Sequence, residues 1–298
     1  MSIALIALVV ARAAQFGALT LAFGGALYPF YAPPAFQGGA ARTILIAASI
    51  LAVFSAAGWA CALVFGMTGE ASALTDPQVW SAFFFATSFG RFWLLRIGFS
   101  AALAVAAIML RNRLVARNWP TAAIAGLAAA LLVAQAWIGH VATVPEPWRW
   151  IAGLGYAAHV LGAGAWFGGL VPLGLMVSQA RSNNQGRDVE QALRRFSAMA
   201  LVAVAAILAG GLVVTASRAH SASGLIASEW GRVLFVKAAG FSAILLVAAV
   251  NRFGLTPRAA EADAIILRRL GRNIAIEQIG GLVLLGAAAI LGALPPPG

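Results

Sequence analysis

The chain has 298 residues, 62% of them hydrophobic and 10% charged, with a formal net charge of +11 at pH 7. A soluble domain carries roughly a quarter charged residues, so this composition excludes an ordinary soluble enzyme or binding module. The basic residues sit in short segments between apolar runs, which excludes a nucleic-acid surface and fits an orienting signal for membrane insertion.

Backbone groups in lipid must be bonded within their own helix or around a closed barrel. Apolar runs of about 20 residues suit helices that cross the hydrocarbon core. Reading those runs against Pro, Gly and charge punctuation predicts an all-α, polytopic membrane helix bundle of about eight spans in one transmembrane domain, 1–298. The spans are roughly 3–30, 43–67, 90–110, 121–143, 149–178, 193–217, 231–251 and 273–294. The start, Met1-Ser2-Ile3, is uncharged, and the apolar run continues past Arg12 to about Phe30. That reads as a first span rather than a cleaved signal. The fifth span is long enough to tilt or to project beyond the bilayer.

Two connecting segments carry structural signals. In the loop 68–89, Asp76-Pro77 reads as an N-cap followed by proline in the first turn. The aromatic segment Gln78–Ser88 is then expected to lie flat on the membrane surface as a lid. On the opposite side, 258–272 reads as a short charged surface helix around Ala264–Leu267.

Arginine placement orients the bundle. The loops after spans one, three, five and seven hold thirteen arginines, and the opposite loops hold four: Arg91, Arg149, Arg218 and Arg232. The positive-inside rule then places the first set in the cytoplasm and both termini outside. Trp80, Trp93, Trp148, Trp150 and Trp230 gather near the outer interface, where indole rings prefer to sit.

The chain's three histidines all fall toward that outer face. His140 ends the fourth span, His220 follows the sixth, and His159 lies nine residues after Trp150, about 13 Å deeper at 1.5 Å per residue. Neutral imidazole is the commonest protein metal ligand. His159 also shares a helix face with Gly155, Gly162, Ala163 and Trp166, so its ring is expected at a helix junction. Gly164-x-x-x-Gly168 is a second small-residue seam. Cys61 and Met67, in the outer half of span two, could add sulfur ligands of the kind that suit copper(I).

Three charged residues near or within spans are expected to be structural or coupling groups: Lys237, Glu277 and Arg252. Lys237 is expected to find Glu70, Asp76 or Glu229, and Arg252 to clamp Glu277 at the inner end of the last two spans. Arg96 is expected to snorkel outward or meet an outer acid. No phosphate loop, H-E-x-x-H or G-x-S-x-G motif occurs, so no enzyme chemistry and no nucleotide coupling is expected.

The segment Ala158-His159-Val160 through Ala165-Trp166-Phe167-Gly168-Gly169-Leu170-Val171-Pro172 resembles the histidine-to-W-x-G-G-L signature of the copper resistance D (CopD/PcoD) family. Three further stretches are similar to that family. They are Gly90-Arg91-Phe92-Trp93-Leu94-Leu95-Arg96; Trp230-Gly231-Arg232 running to Lys237 and Asn251-Arg252; and Glu277 with the apolar ending Leu294-Pro295-Pro296. The resemblance covers most of spans three to eight and singles out His159, Lys237 and Glu277. It implies a multi-pass bacterial inner-membrane protein that handles copper, moving it from periplasm to cytoplasm, with the bilayer, the copper ion and a periplasmic copper-binding protein as partners. On this reading both termini are periplasmic, and copper is captured by His159, His140 and His220, with Met67 and Cys61 as further candidate ligands. A haem-binding or quinone-linked redox protein and a copper receptor without transport remain open alternatives.

Overall fold

The computed structural model describes residues 2–32, 38–138, 144–146, 148–183, 186–219, 221–261, 263–295 and 297. Among them the helices are α1 Ile3–Leu27, α2 Gly39–Thr68, α3 Pro77–Phe85, α4 Ser88–Met109, α5 Trp119–Ala134, α6 Trp148–Asn183, α7 Gly186–Ala216, α8 Ala222–Ala227, α9 Glu229–Ala249 and α10 Ala264–Leu291. The described residues contain no strand. The chain is a polytopic helical bundle, with seven helices long and apolar enough to cross a membrane among the described residues. The expected fourth span is represented by α5, shorter at 16 residues and continued by a 3₁₀ turn over Gln135–Ile138. Its expected end at 143 lies outside the described residues.

Helix α6 is the centre of the bundle. At 36 residues it is about 54 Å long, well beyond a hydrocarbon core of about 30 Å. It packs against α1, α5, α7 and α10. Close approach comes from glycine, because lipid offers no hydrophobic drive and association rests on backbone proximity. The two seams visible in the sequence serve different neighbours. Gly168 meets Gly24 and the Thr20 carbonyl of α1, where a β-carbon would collide with backbone, and one on Gly164 would meet the Phe23 and Leu132 side chains. Gly155 and Gly162 meet Val213 and the Ala203 carbonyl of α7.

These crossings fix which helix ends lie together. Gly155, near the start of α6, touches Gly210 and Val213 near the end of α7, and Arg12 near the start of α1 lies on Gly292 at the end of α10. The peripheral helices α7 and α9 leave many apolar side chains facing outward, including Val202, Leu212, Val236 and Leu246. Such surfaces suit lipid, not water.

The connecting segments differ in part from expectation. Asp76 does cap α3, its Oδ1 accepting from the Gln78 amide at 2.8 Å. However, α3 packs on α4 through Phe83, over the aromatic cluster of Trp59 and Trp93, rather than over the cavity described below. Residues 264–267 are the first turn of α10, capped by Asp263 through the Ile265 amide at 2.7 Å, and not a separate surface helix. The apolar run that follows the charged turn simply continues the same helix.

The α1–α6 crossing sets a first expected outcome. Gly168→Leu drives a side chain into the α1 backbone, where overpacking typically costs 1–3 kcal/mol and here has no flexible side chain to displace. Thermal unfolding of purified protein should show a clearly lowered Tm. An open glycine, Gly126→Leu, should leave it near that of the parent protein.

Candidate functional site

A cavity of about 160 Å³ lies among α1, α6, α7, α9 and α10, at the end of the bundle where α1, α6 and α9 begin. Its polar lining is Arg12, Tyr156, His159, Arg218 and Lys237, and its walls are largely apolar, with Phe16, Phe167 and Phe241 among them. His159 reaches it from α6 because α7 presents two consecutive glycines. A β-carbon on Gly211 would stand 3.2 Å from the His159 Nδ1, and one on Gly210 would stand 2.7 Å from the His159 amide nitrogen.

The histidine's chemistry follows from one bond. Its Nδ1 lies 2.8 Å from the Ile207 carbonyl oxygen. A carbonyl only accepts, so Nδ1 is the protonated nitrogen, and in the neutral ring Nε2 keeps a free lone pair.

The cations around it have no acidic counterpart. All nine acidic residues of the chain are among those described, and none lines this cavity. Among the described residues the ion pairs are Arg149–Glu146 and Arg194–Glu190, both between neighbouring turns and away from the cavity. Lys237 therefore does not meet Glu70, Asp76 or Glu229. The arginines rest on aromatic faces instead: Arg218 is 5.9 Å from the Trp230 ring, and Arg12 is 5.2 Å from Trp59 and 5.9 Å from Phe16. The Nε atoms of Arg12 and Arg218 are buried without a hydrogen-bond partner. Burial lowers the Arg218 pKa from its ordinary value, as expected where a cation loses water.

Arg96 departs from expectation too. It is fully enclosed, stacked 5.6 Å from Trp59 and 5.8 Å from Trp93, with Nη1 donating to the Leu131 carbonyl at 3.4 Å. Trp59 is thus flanked by two guanidinium groups, those of Arg12 and Arg96. Aromatic faces attract cations where no acid is in reach.

A second, smaller cavity of about 50 Å³ lies deeper, lined by Trp166, Ser197, Asn251, Arg252 and Glu277 among others. After α9 the chain runs through a π-helical turn, Val250–Leu255. Such turns are often found at functional positions. Asn251 is buried there; its Nδ2 donates to Glu277 Oε1 at 2.8 Å, and its Oδ1 accepts from Asn273 Nδ2 at 2.9 Å. Arg252 turns the other way and donates to the Ser197 hydroxyl at 2.6 Å and carbonyl at 3.1 Å. The expected Arg252–Glu277 clamp is therefore not formed; the π-turn presents the neighbouring asparagine to the carboxylate. Between the two cavities, the Trp166 and Phe167 rings stack at 5.0 Å, with Phe241 set edgewise on Trp166 at 5.6 Å.

The remaining candidate ligands are not brought to His159. Cys61 is a half-buried free thiol on α2, and Met67, near the end of the same helix, is 64% exposed; neither lines the cavity. His140 and His220 lie outside the described residues. Among the described residues no group of three or more His, Cys, Asp or Glu side chains is placed to hold a metal. Arg12, Tyr156 and Arg218 are the cavity members that sequence reasoning passed over. The signal for Arg12 was available, because a charged residue inside an apolar span is a functional candidate by default.

The fold and cavity together define a polytopic membrane helix bundle with a polar, cation-lined cavity near one end. The chain belongs to the copper resistance protein D family: the family described as "Copper resistance protein D-like, N-terminal domain" matches residues 2–150, and "Copper resistance protein D" matches residues 190–291. Most of α6, including His159, falls between the two matches. Two curated relatives are similar. The copper transport protein CutJ of Bacillus subtilis (strain 168) is 29% identical over 217 residues, 72% of this chain and 38% of CutJ. The inner membrane protein YebZ of Escherichia coli (strain K12) is 28% identical over 289 residues, 96% of this chain and 97% of YebZ. The chain thus spans well under half of the first relative and almost all of the second. No solved structure matches. The chain is a copper-related, multi-pass inner-membrane protein.

The buried amide network sets a second expected outcome. Asn251→Leu leaves Glu277 without its donor and Asn273 without its acceptor, and an unsatisfied buried group costs about 1–3 kcal/mol. Tm should fall, and Asn251→Gln should recover part of the loss. Arg252→Gln, which leaves that network whole, should cost less.

Proposed function

We propose that this chain captures copper on the periplasmic side through His159 and moves it toward the cytoplasm. The observation that carries the reading is the His159–Ile207 bond. By fixing the proton on Nδ1, it leaves Nε2 as a ready ligand on a ring that lines the outer cavity. The CutJ name, a copper transport protein, and the family's own description supply the metal. The arginine asymmetry supplies the orientation, with both termini and the cavity periplasmic.

The route inward follows the two cavities. From His159 it meets the Phe167, Phe241 and Trp166 rings, then the space beside Glu277 and Asn251. Glu277 is the one acidic residue buried in the bundle core, and a carboxylate there favours a passing cation. The membrane potential favours inward movement of a cation by about 2.3 kcal/mol per charge per 100 mV. Lys237 sits beside the capture site as the positive group a departing copper ion leaves behind. His140, His220, Met67 and Cys61 remain candidate further ligands, and a periplasmic copper-binding protein remains the candidate donor.

Copper uptake into vesicles containing the purified protein should be abolished by His159→Ala, and uptake equal to the parent protein would overturn the role given to His159. A subtler variant tests the carrying observation. Gly211→Ala puts a methyl group 3.2 Å from Nδ1 and should disturb the bond to Ile207 without removing the ligand. Loss of such an outer-shell bond typically weakens metal binding roughly 10- to 100-fold. A competition titration against a copper(I) chelator should show a drop of that order in Gly211→Ala, and none in Gly126→Ala.

A further inference from the structure

We propose that the outer cavity is an oxyanion site: it binds a phosphate or carboxylate group between the guanidinium groups of Arg12 and Arg218 and the ammonium of Lys237. This goes beyond copper capture and concerns different atoms of the cavity from the His159 Nε2.

Three cations, from α1, from the turn just past α7 and from α9, line one space of about 160 Å³. A cation within a membrane protein is costly unless it is paired or reaches water. Elsewhere in the bundle core Glu277 is held by the Asn251 amide, and Arg96, whose Nε and Nη2 are unpartnered, still has the Leu131 carbonyl and two indole faces. The cavity cations have no acid, and the chain has no further acidic residue that could supply one, since all nine are accounted for elsewhere. The Arg12 and Arg218 Nε donors are unsatisfied in addition.

The donor chemistry selects the ligand. A guanidinium presents parallel N–H donors that match two oxygens of a carboxylate or phosphate, and a lysine adds a point charge. Tyr156 and Thr215 line the same cavity and add neutral hydroxyl donors. The apolar walls exclude water around the ion, so each charge-assisted bond is strengthened. The group could arrive as a free anion from outside or as the phosphate of a membrane lipid; its chemistry at the arginines is the same.

The test is equilibrium binding of radiolabelled inorganic phosphate to the full chain in phosphatidylcholine nanodiscs, without copper. The expected result is saturable binding, weakened roughly tenfold or more by R12Q and by R218Q, about the loss of one charge-assisted bond. R91Q, outside the cavity, should bind as the parent protein does. Absence of saturable binding to the folded parent protein overturns the proposal without recourse to any variant, and so does equal binding by an R12Q/R218Q/K237Q chain. Doping the nanodiscs with phosphatidylglycerol identifies the source. Displacement of labelled phosphate marks a lipid headgroup site, and undiminished binding marks a site for a free anion. Because copper is absent, failure here leaves the His159 reading standing. Conversely, a chain that binds phosphate but no copper overturns that reading alone.

Discussion

The close contact of α6 with α1 and α7 is the constraint on which everything else rests. Lipid supplies no hydrophobic drive for helix association, so the backbones must come close enough for dispersion to hold them. Gly24, Gly164 and Gly168 permit this on one side, and Gly155, Gly162 and Gly210 on the other. That approach puts His159 against a glycine pair on α7 and lets its Nδ1 reach a helix carbonyl. The Ile207 carbonyl is reachable because no side chain stands at 210 or 211. The same packing leaves a cavity among α1, α6, α7, α9 and α10. A bundle packed through larger residues would have neither the bond nor the space.

The bundle handles its buried charges by position. Deep among α6, α7, α9 and α10 the buried carboxylate is Glu277, held by the side-chain amide of Asn251, with Arg252 turned away onto Ser197. Nearer the start of α1 the charges are cationic, held by aromatic faces where the protein offers no acid. A stacked Trp166–Phe167 pair separates the two regions. The larger cavity thus holds Arg12, Arg218 and Lys237 without an acid, whereas the deeper one holds both Glu277 and Arg252.

Much of this was legible in the sequence. Apolar runs gave the helices, Asp76-Pro77 gave the start of α3, and the family resemblance drawn from the stretch around His159 is confirmed by family matches on both sides of α6. What could not be read was partner choice. Arg252 and Asn251 are adjacent, and only the π-turn decides which faces Glu277. Arg96 looked like a residue seeking water; instead Trp59 and Trp93 enclose it, a tertiary fact that no local pattern carries. The extent of α10 was missed because charged residues at 268, 269 and 272 made 258–272 read as a separate short surface helix, whereas they are ordinary exposed residues in the first turns of one long helix.

A free Nε2 and a ring of uncompensated cations in one cavity impose opposite preferences. The imidazole invites a soft metal ion; Arg12, Arg218 and Lys237 repel any cation by a Coulomb energy that the apolar walls do not screen. The conflict is resolved if an anion occupies the cationic end first, because its charge offsets that of the arginines and lowers the cost of a metal at His159. Linkage then makes each ligand favour the other. The glycines that admit the histidine and the arginines that lack acids are therefore two halves of one arrangement.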